Sequence, residues 1–341
     1  VDSSILGETR DIFIHEPLGY EKSGRRYPVL VVLDGESMFS FAAGAVDFLA
    51  PGRMPEMIVV GIANTHRERD QWVSLQPDGG YMKFVDFLEK ELVPFIDAHY
   101  RTQPHRVLYG FCSGASTVMW LLFTRPELFD GYIAAGTGFD QTWYDLGARE
   151  FARRDSLGKS FYAVTEGTTP RAQGMPLLRK LLAPAPAGLD WDCVVMEQEE
   201  HEPVAAKGLF AGLEFIYRRW RLPVATAAAG PPAIQVYYKA LGQAYGFDCG
   251  LPREPVLNAG LSLLWYEKKP EEAITLFRFL TTKAPRWPDA FEALGVAYQS
   301  AGRLAEARQA FEAALAIVRE TGDRRRPLFE DYVTSIQEKQ E

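Results

Sequence analysis

The stretch that decides the fold is Arg106-Val-Leu-Tyr109, which runs without a break into Gly110-Phe111-Cys112-Ser113-Gly114-Ala115. Four residues of strand character meet a pair of glycines placed two before and two after a central residue. A helical pattern over 113–124 begins at once. Strand, tight turn and helix in this order form the setting that presents a nucleophile at the end of a parallel strand, in the pattern Gly-x-nucleophile-x-Gly. Small residues are needed at both flanks because the turn is tight and the central residue is strained. In this frame the central residue is Cys112. Moving the frame to Ser113 puts Phe111 and Ala115 at the glycine positions, where the steric logic fails. Cys112 therefore reads as the nucleophile, and Ser113 as the donor of a backbone N–H to an oxyanion hole. The plain alternative is a small buried residue at a strand end.

Working outward, short apolar runs at 11–15, 28–33, 57–62, 131–135, 160–164 and 191–196 alternate with amphipathic segments at 38–49, 81–98, 175–182 and 203–220. Runs such as Val29-Leu-Val-Val-Leu33 are apolar at every position and do not alternate. That suits strands covered on both faces of a mostly parallel sheet, so residues 1–222 are expected to form an α/β, doubly wound domain. A nucleophile in this fold expects an acid and then a histidine further along the chain. Of five histidines, only His201 follows the later strands and directly precedes a helix, which makes it the expected general base. His66, in an earlier loop, competes. The acid should end the preceding strand, which favours Glu166 over Glu199 and Glu200. A Cys–His pair without an acid is also workable, since a thiol ionises near pH 8.5 and needs less help than a hydroxyl.

Composition excludes several classes. The chain has 341 residues, a formal net charge of −8 and 47% hydrophobic residues, so it is neither disordered nor short of a core. Residues 1–230 carry 23 basic and 30 acidic side chains, and residues 231–341 carry 14 and 15. Neither part has the basic surplus of a nucleic-acid binder. No apolar run approaches a membrane span. Three cysteines are too few for a disulfide scaffold, and a working thiolate favours a reducing, cytoplasmic setting. The start, Val1-Asp2-Ser3-Ser4, leaves open a removed leader or a trimmed chain, so a processed periplasmic form is the alternative. No residue grouping has metal-ligand spacing and no Gly-rich phosphate loop follows a strand, so cofactor-free chemistry is expected.

The small and proline residues at 223–232 suggest a linker. Beyond it helices dominate, and residues 233–341 contain a repeat. Leu257, Leu264, Ala273, Phe277 and Leu280 recur 34 positions later as Phe291, Tyr298, Ala307, Phe311 and Ala314. The later copy resembles the tetratricopeptide pattern; in the earlier one Gly260 is offset by one position. An all-α, tetratricopeptide-like domain is expected, offering a concave surface to a protein partner or carrier protein, or a lid over the cleft.

Residues 8–220 resemble a bacterial esterase family of the α/β-hydrolase fold, the group that includes enterochelin-type siderophore esterases. The matching stretches are Val31-Val-Leu-Asp-Gly-Glu36, Gly61-Ile-Ala-Asn-Thr65, Arg67-x-Arg69-Asp70, residues 87–97, Tyr109-Gly-Phe-Cys-Ser-Gly114, residues 125–131 and Glu200-His201. Members with a C-terminal tetratricopeptide segment extend the resemblance over nearly the whole chain. The resemblance implies that the loop Asp34-Gly35-Glu36 offers the second oxyanion N–H, from Gly35 or Glu36. One departure stands out: the family's nucleophile is serine. Either this chain naturally uses a thiol, or a serine has been replaced.

On the substrate side, Arg67 and Arg69 follow a strand end and are expected to clamp an anionic group of a small-molecule acyl substrate. Phe139, Trp143 and Tyr144 are expected to wall an apolar pocket. Three functions fit: an ester or thioester hydrolase acting through acylated Cys112, an acyltransferase or cyclising release enzyme using the same thioester, or a non-catalytic binding protein built on the repeats.

Overall fold

The uninterrupted apolar runs become the interior of one sheet. The computed structural model describes residues 1–72 and 80–340. Among them the main sheet holds seven strands: β1 (Ile12–His15), β2 (Tyr27–Val32), β3 (Ile58–Ile62), β4 (Thr102–Phe111), β5 (Gly131–Ala135), β6 (Ser160–Glu166) and β7 (Asp190–Met196). Their order is β1-β3-β2-β4-β5-β6-β7. β1 runs antiparallel to β3, and every other neighbouring pair is parallel. Every residue of β2, β3 and β5 is buried, as consecutive apolar side chains require when helices cover both faces.

The crossovers in the first half are α1 (Gly35–Leu49), the short α2 (Arg67–Gln71), and α3, which runs from Gly80–Phe87 through one π turn at Leu88–Leu92 into Val93–His99. The second half adds α4 (Ser113–Thr124), α5 (Gln141–Phe151), α6 (Met175–Leu182) and α7 (His201–Ile216). Helix α5 was not expected from the sequence. Its middle holds Gly147, a poor helix former, yet a Cβ there would lie 2.5 Å from Leu181. The glycine lets α5 approach α6, and Asp140 starts the helix by accepting the Trp143 N–H at 3.1 Å.

The chain divides into two compact units. The first holds residues 1–50, 54–218 and 245–247, and the second holds 51–53, 219–244 and 248–341. In the second, the stretch expected as a linker contains α8 (Val224–Ala228), and α9 (Pro231–Tyr245) begins inside it. The prolines that suggested a linker stand just before one helix and at the first turn of the next, where a missing N–H costs nothing, and alanines fill the turn between. Then follow α10 (Arg253–Trp265), α11 (Pro270–Lys283), α12 (Pro288–Ser300), α13 (Leu304–Thr321) and α14 (Arg326–Gln340). A Cβ on Gly260 would meet the Phe277 ring at 2.4 Å, and one on Gly295 would meet the Phe311 ring at 2.6 Å. Despite the one-position offset, both glycines serve the same close helix crossing. No helix among the described residues is long and apolar enough to cross a membrane.

Candidate active site

β4 ends at Phe111 and α4 starts at Ser113, so Cys112 alone makes the turn. Its φ of 56° and ψ of −110° lie in a region that non-glycine residues rarely occupy, and such strain persists only where surrounding structure enforces it. The Cys112 N–H donates to the Ala135 carbonyl at 3.0 Å, which pins the turn to the end of β5. Gly110 is indispensable: a Cβ there would come 2.3 Å from the Gly114 carbonyl oxygen. Gly114 is less confined, because its Cβ would meet Gln71 Oε1 and Leu33 at an ordinary 3.4 Å. The steric demand of the turn thus falls mainly on the first glycine.

His201 opens α7, and its Nδ1 lies 3.0 Å from Glu166 Oε1 at the end of β6. An ionised carboxylate only accepts, so Nδ1 carries the proton and Nε2 the lone pair. That Nε2 is buried and has no hydrogen-bond partner among the described residues. The His201 ring packs 4.6 Å from the ring of Phe111, the residue before Cys112. Gly136, with φ +63°, makes room for both: a Cβ would sit 2.7 Å from Phe111 and 2.8 Å from His201. Glu166 is fully buried. Burial alone would raise its pKa, but its own backbone N–H, the Thr169 hydroxyl and His201 outweigh burial and hold it at about 2. It stays charged, as an acid that orients an imidazole must.

The loop after β2 is built around Asp34, itself at φ 54°. Its carboxylate accepts from Arg67 Nε (2.7 Å) and Nη2 (3.0 Å), Asn64 Nδ2 (2.6 Å) and Gln71 Nε2 (3.0 Å). A Cβ on Gly35 would meet the Gly61 and Ile62 backbone at 2.7 Å, so this loop presses directly onto β3. The Glu36 carboxylate is engaged by Asn64, leaving only its backbone for other work. The N–H groups of Gly35 and Glu36 occupy a first helical turn, where the helix supplies no acceptor. Arg67 brackets Cys112, reaching Ser113 Oγ at 3.3 Å and the Phe111 carbonyl at 3.5 Å. Its own pKa is raised, chiefly by the Asp34 carboxylate and also by the neighbouring thiol.

A cleft of about 670 Å³ opens at Cys112, walled by Ser113, Phe139, Trp143, Arg171 and Leu177 among others. Two expected substrate residues lie elsewhere. Arg69 spends Nε on Asp70 and both terminal nitrogens on Glu8, at 2.7 to 3.0 Å, and so braces the N-terminal segment. Tyr144 packs against the core beneath the Lys180 ammonium, 5.5 Å from its ring. Successive helical residues point about 100° apart, and here Trp143 is the one that lines the cleft. Arg67 is committed to Asp34 and the elbow. Arg171, Gly136 and the Asp34–Asn64–Gln71 cluster carry no motif in the sequence: Gly136 and Asp34 meet partners from other elements, and Arg171 meets Glu166 only because the turn at 170–174 folds back over the end of β6. Among the described residues no group of three or more His, Cys, Asp or Glu side chains could hold a metal ion.

Residues 3–162 match the family model described as "Putative esterase". The ferri-bacillibactin esterase BesA of Bacillus subtilis is 30% identical over 154 residues, covering 37% of this chain and 52% of BesA. The chain spans about half the length of the curated relatives it matches. An IroE-like serine hydrolase from Shewanella oneidensis superposes with a TM-score of 0.65 at 26% identity, over 83% of this chain and 98% of its own. An uncharacterised protein from Capnocytophaga ochracea shares the fold, with a TM-score of 0.65 at 16% identity over 99% of this chain. Residues 3–162 are thus similar to an esterase family model, and the chain is similar in sequence to a ferri-bacillibactin esterase and in structure to an IroE-like serine hydrolase.

Proposed function

We propose that the first unit hydrolyses esters or thioesters of a small-molecule acyl substrate through a covalent acyl group on Cys112. The observation that carries this reading is the turn itself: a cysteine at φ 56° between a strand and a helix, with a carboxylate-oriented imidazole packed on the ring of Phe111, the residue before it. His201 Nε2 takes the thiol proton, and the thiolate sulfur attacks the ester carbonyl. The backbone N–H of Ser113, with that of Gly35 or Glu36, receives the developing oxyanion. Collapse breaks the ester C–O bond, and His201 returns the proton to the departing alkoxide. Water then attacks the thioester carbonyl, gives its proton to His201, and releases the acid as the thiol re-forms. The match to an esterase family and the likeness to siderophore esterases support ester cleavage. A siderophore ester, the substrate that the name of a second relative, the siderophore triacetylfusarinine C esterase of Aspergillus fumigatus, states for that protein, is the natural first substrate to try.

The test is incubation with p-nitrophenyl acetate and intact-mass measurement. A transient acetyl adduct on the wild type, absent in Cys112→Ala, is the expected result. An adduct that persists in Cys112→Ala would sink the nucleophile assignment.

A second reading, acyl transfer, is favoured by one feature, the thiol. Thioesters pass acyl groups readily to amines, hydroxyls and thiols. Faster loss of the adduct with added amine than with water alone would select it. In the second unit, the 34-residue spacing and the paired glycine–phenylalanine crossings support tetratricopeptide-like hairpins, whose concave face would take a protein or carrier-protein partner.

A further inference from the structure

Arg171 is the one cation on the walls of the cleft among the described residues, and the site as derived leaves most of it unused. It sits on the short 3-10 turn Pro170–Gly174 between β6 and α6. That turn is rigidly placed. Thr169 Oγ1 accepts the Arg171 N–H at 3.3 Å, and Gly174 lies so close to Phe139 that a Cβ would come 2.2 Å from its carbonyl oxygen. The backbone that carries the guanidinium is therefore fixed in the wall.

One of its nitrogens, Nη1, donates to Glu166 Oε1 at 3.0 Å. The same oxygen also accepts from Thr169 Oγ1 at 2.8 Å and from His201 Nδ1 at 3.0 Å. Three donors converge on one oxygen, which has two lone pairs. Arg171 is thus a supernumerary partner of Glu166. Its Nε and Nη2 have no partner among the described residues, and the side chain is 37% exposed. Asp140, the one carboxylate lining the same cleft among the described residues, is engaged as the cap of α5. Phe139, Trp143 and Leu177 supply an apolar wall near the guanidinium.

We propose that Arg171 determines substrate specificity: its unused guanidinium edge pairs with an anionic oxygen, such as a carboxylate, on a substrate whose apolar part lies along Phe139, Trp143 and Leu177. A guanidinium forks onto a carboxylate through two parallel N–H donors, and among the described residues lining the cleft only Arg171 offers such an edge. For the fate of the ligand this inference rests on the ester-cleaving reading; for binding it stands apart from it.

The test uses the full chain and two probes of one shape, 3-phenylpropionate and its neutral amide, titrated by calorimetry. The wild type is expected to bind the carboxylate about tenfold more tightly than the amide, as a charge-assisted pair predicts. In Arg171→Gln that ratio should fall to within about twofold, and Arg171→Lys should recover part of it, since the charge remains and the fork does not. The amide controls for any general disturbance of the cleft. Equal binding of the two probes by the wild type, no binding of the carboxylate, or an unchanged ratio in Arg171→Gln would overturn the proposal. Cys112→Ala should keep the wild-type ratio. Failure of the wild type to cleave p-nitrophenyl acetate, with the binding ratio intact, would count against the Cys112 reading and leave Arg171 supported.

Discussion

At the scale of single residues, Cys112 is set apart from the other two cysteines by its surroundings. Burial pushes the thiols of Cys193 and Cys249 up to about 12, and Cys193 lies within β7. Cys112 lines the cleft. Iodoacetamide at pH 8 is expected to modify Cys112 first, read by peptide mass mapping, and prior modification of either other cysteine would contradict the picture. Glu166→Gln keeps the shape but replaces a pure acceptor with an amide that can favour the wrong imidazole tautomer. It should lower kcat roughly 10²- to 10⁴-fold while altering KM little. Because Glu166 is held at about 2 when folded, against 4.5 unperturbed, its contribution to stability is complete above pH 4.5. It is lost as pH falls toward 2. Wild type and Glu166→Gln should therefore converge in stability on acidification, as urea midpoints would register.

At the scale of elements, two close approaches carry weight. α2 is fastened to the N-terminal segment by Arg10 and Asp70, a pair 2.7 Å apart with neither side chain exposed. Glu8 and Arg69 complete this cluster, and the two arginines hold Glu8 at about 2 despite the opposing effect of its burial. Removing one member of a buried pair strands the other charge, so Asp70→Asn should cost about 3 kcal/mol by chemical denaturation. Arg67 and Gln71 share α2 with Asp70, so turnover should fall as well. In the helical unit, Gly295→Ala would drive a Cβ to within 2.6 Å of the buried Phe311 ring. That overpacking should cost about 1–3 kcal/mol. A variant as stable as the wild type would show that α12 and α13 can separate freely.

At the scale of the molecule, the chain completes its first unit with a short return. Residues 245–247 belong to that unit although α9 lies mostly in the other. Their work there is visible at His105, which is buried, donates from Nδ1 to the Tyr245 carbonyl at 2.9 Å, and is ringed by Tyr217, Tyr245 and Phe247 at 5.4–5.8 Å. Burial lowers the His105 pKa, more than Asp130 and the Tyr245 carbonyl raise it. The unfolded chain, where histidine titrates near 6.5, then binds more protons than the folded one, so stability declines as pH falls below about 6.5. His105→Gln should flatten that decline between pH 7.5 and 5.5. A chain ending at residue 222 lacks Tyr245 and Phe247, and its first unit should melt at a lower temperature than in the full chain. Identical melting would mean the return segment contributes nothing.

How much was legible follows from the range of the forces involved. Strand runs, the elbow glycines, the sequence order of Glu166 and His201, and the 34-residue repeat are local patterns or spacings, so the amino-acid sequence alone determined the α/β class of the first unit and the helical class of the second. The helix in the apparent linker and α5 were hidden because propensity competes weakly with tertiary packing: Gly147 makes sense only once Leu181 is beside it. The same holds for side-chain partners. Arg67, Arg69 and Arg171 are equivalent on paper. Only the folded chain sends the first to Asp34, the second to Glu8 and Asp70, and the third to the cleft beside Glu166. An arginine's role depends on which carboxylate lies within about 3 Å, and that is a fact of three-dimensional proximity between residues up to 61 positions apart.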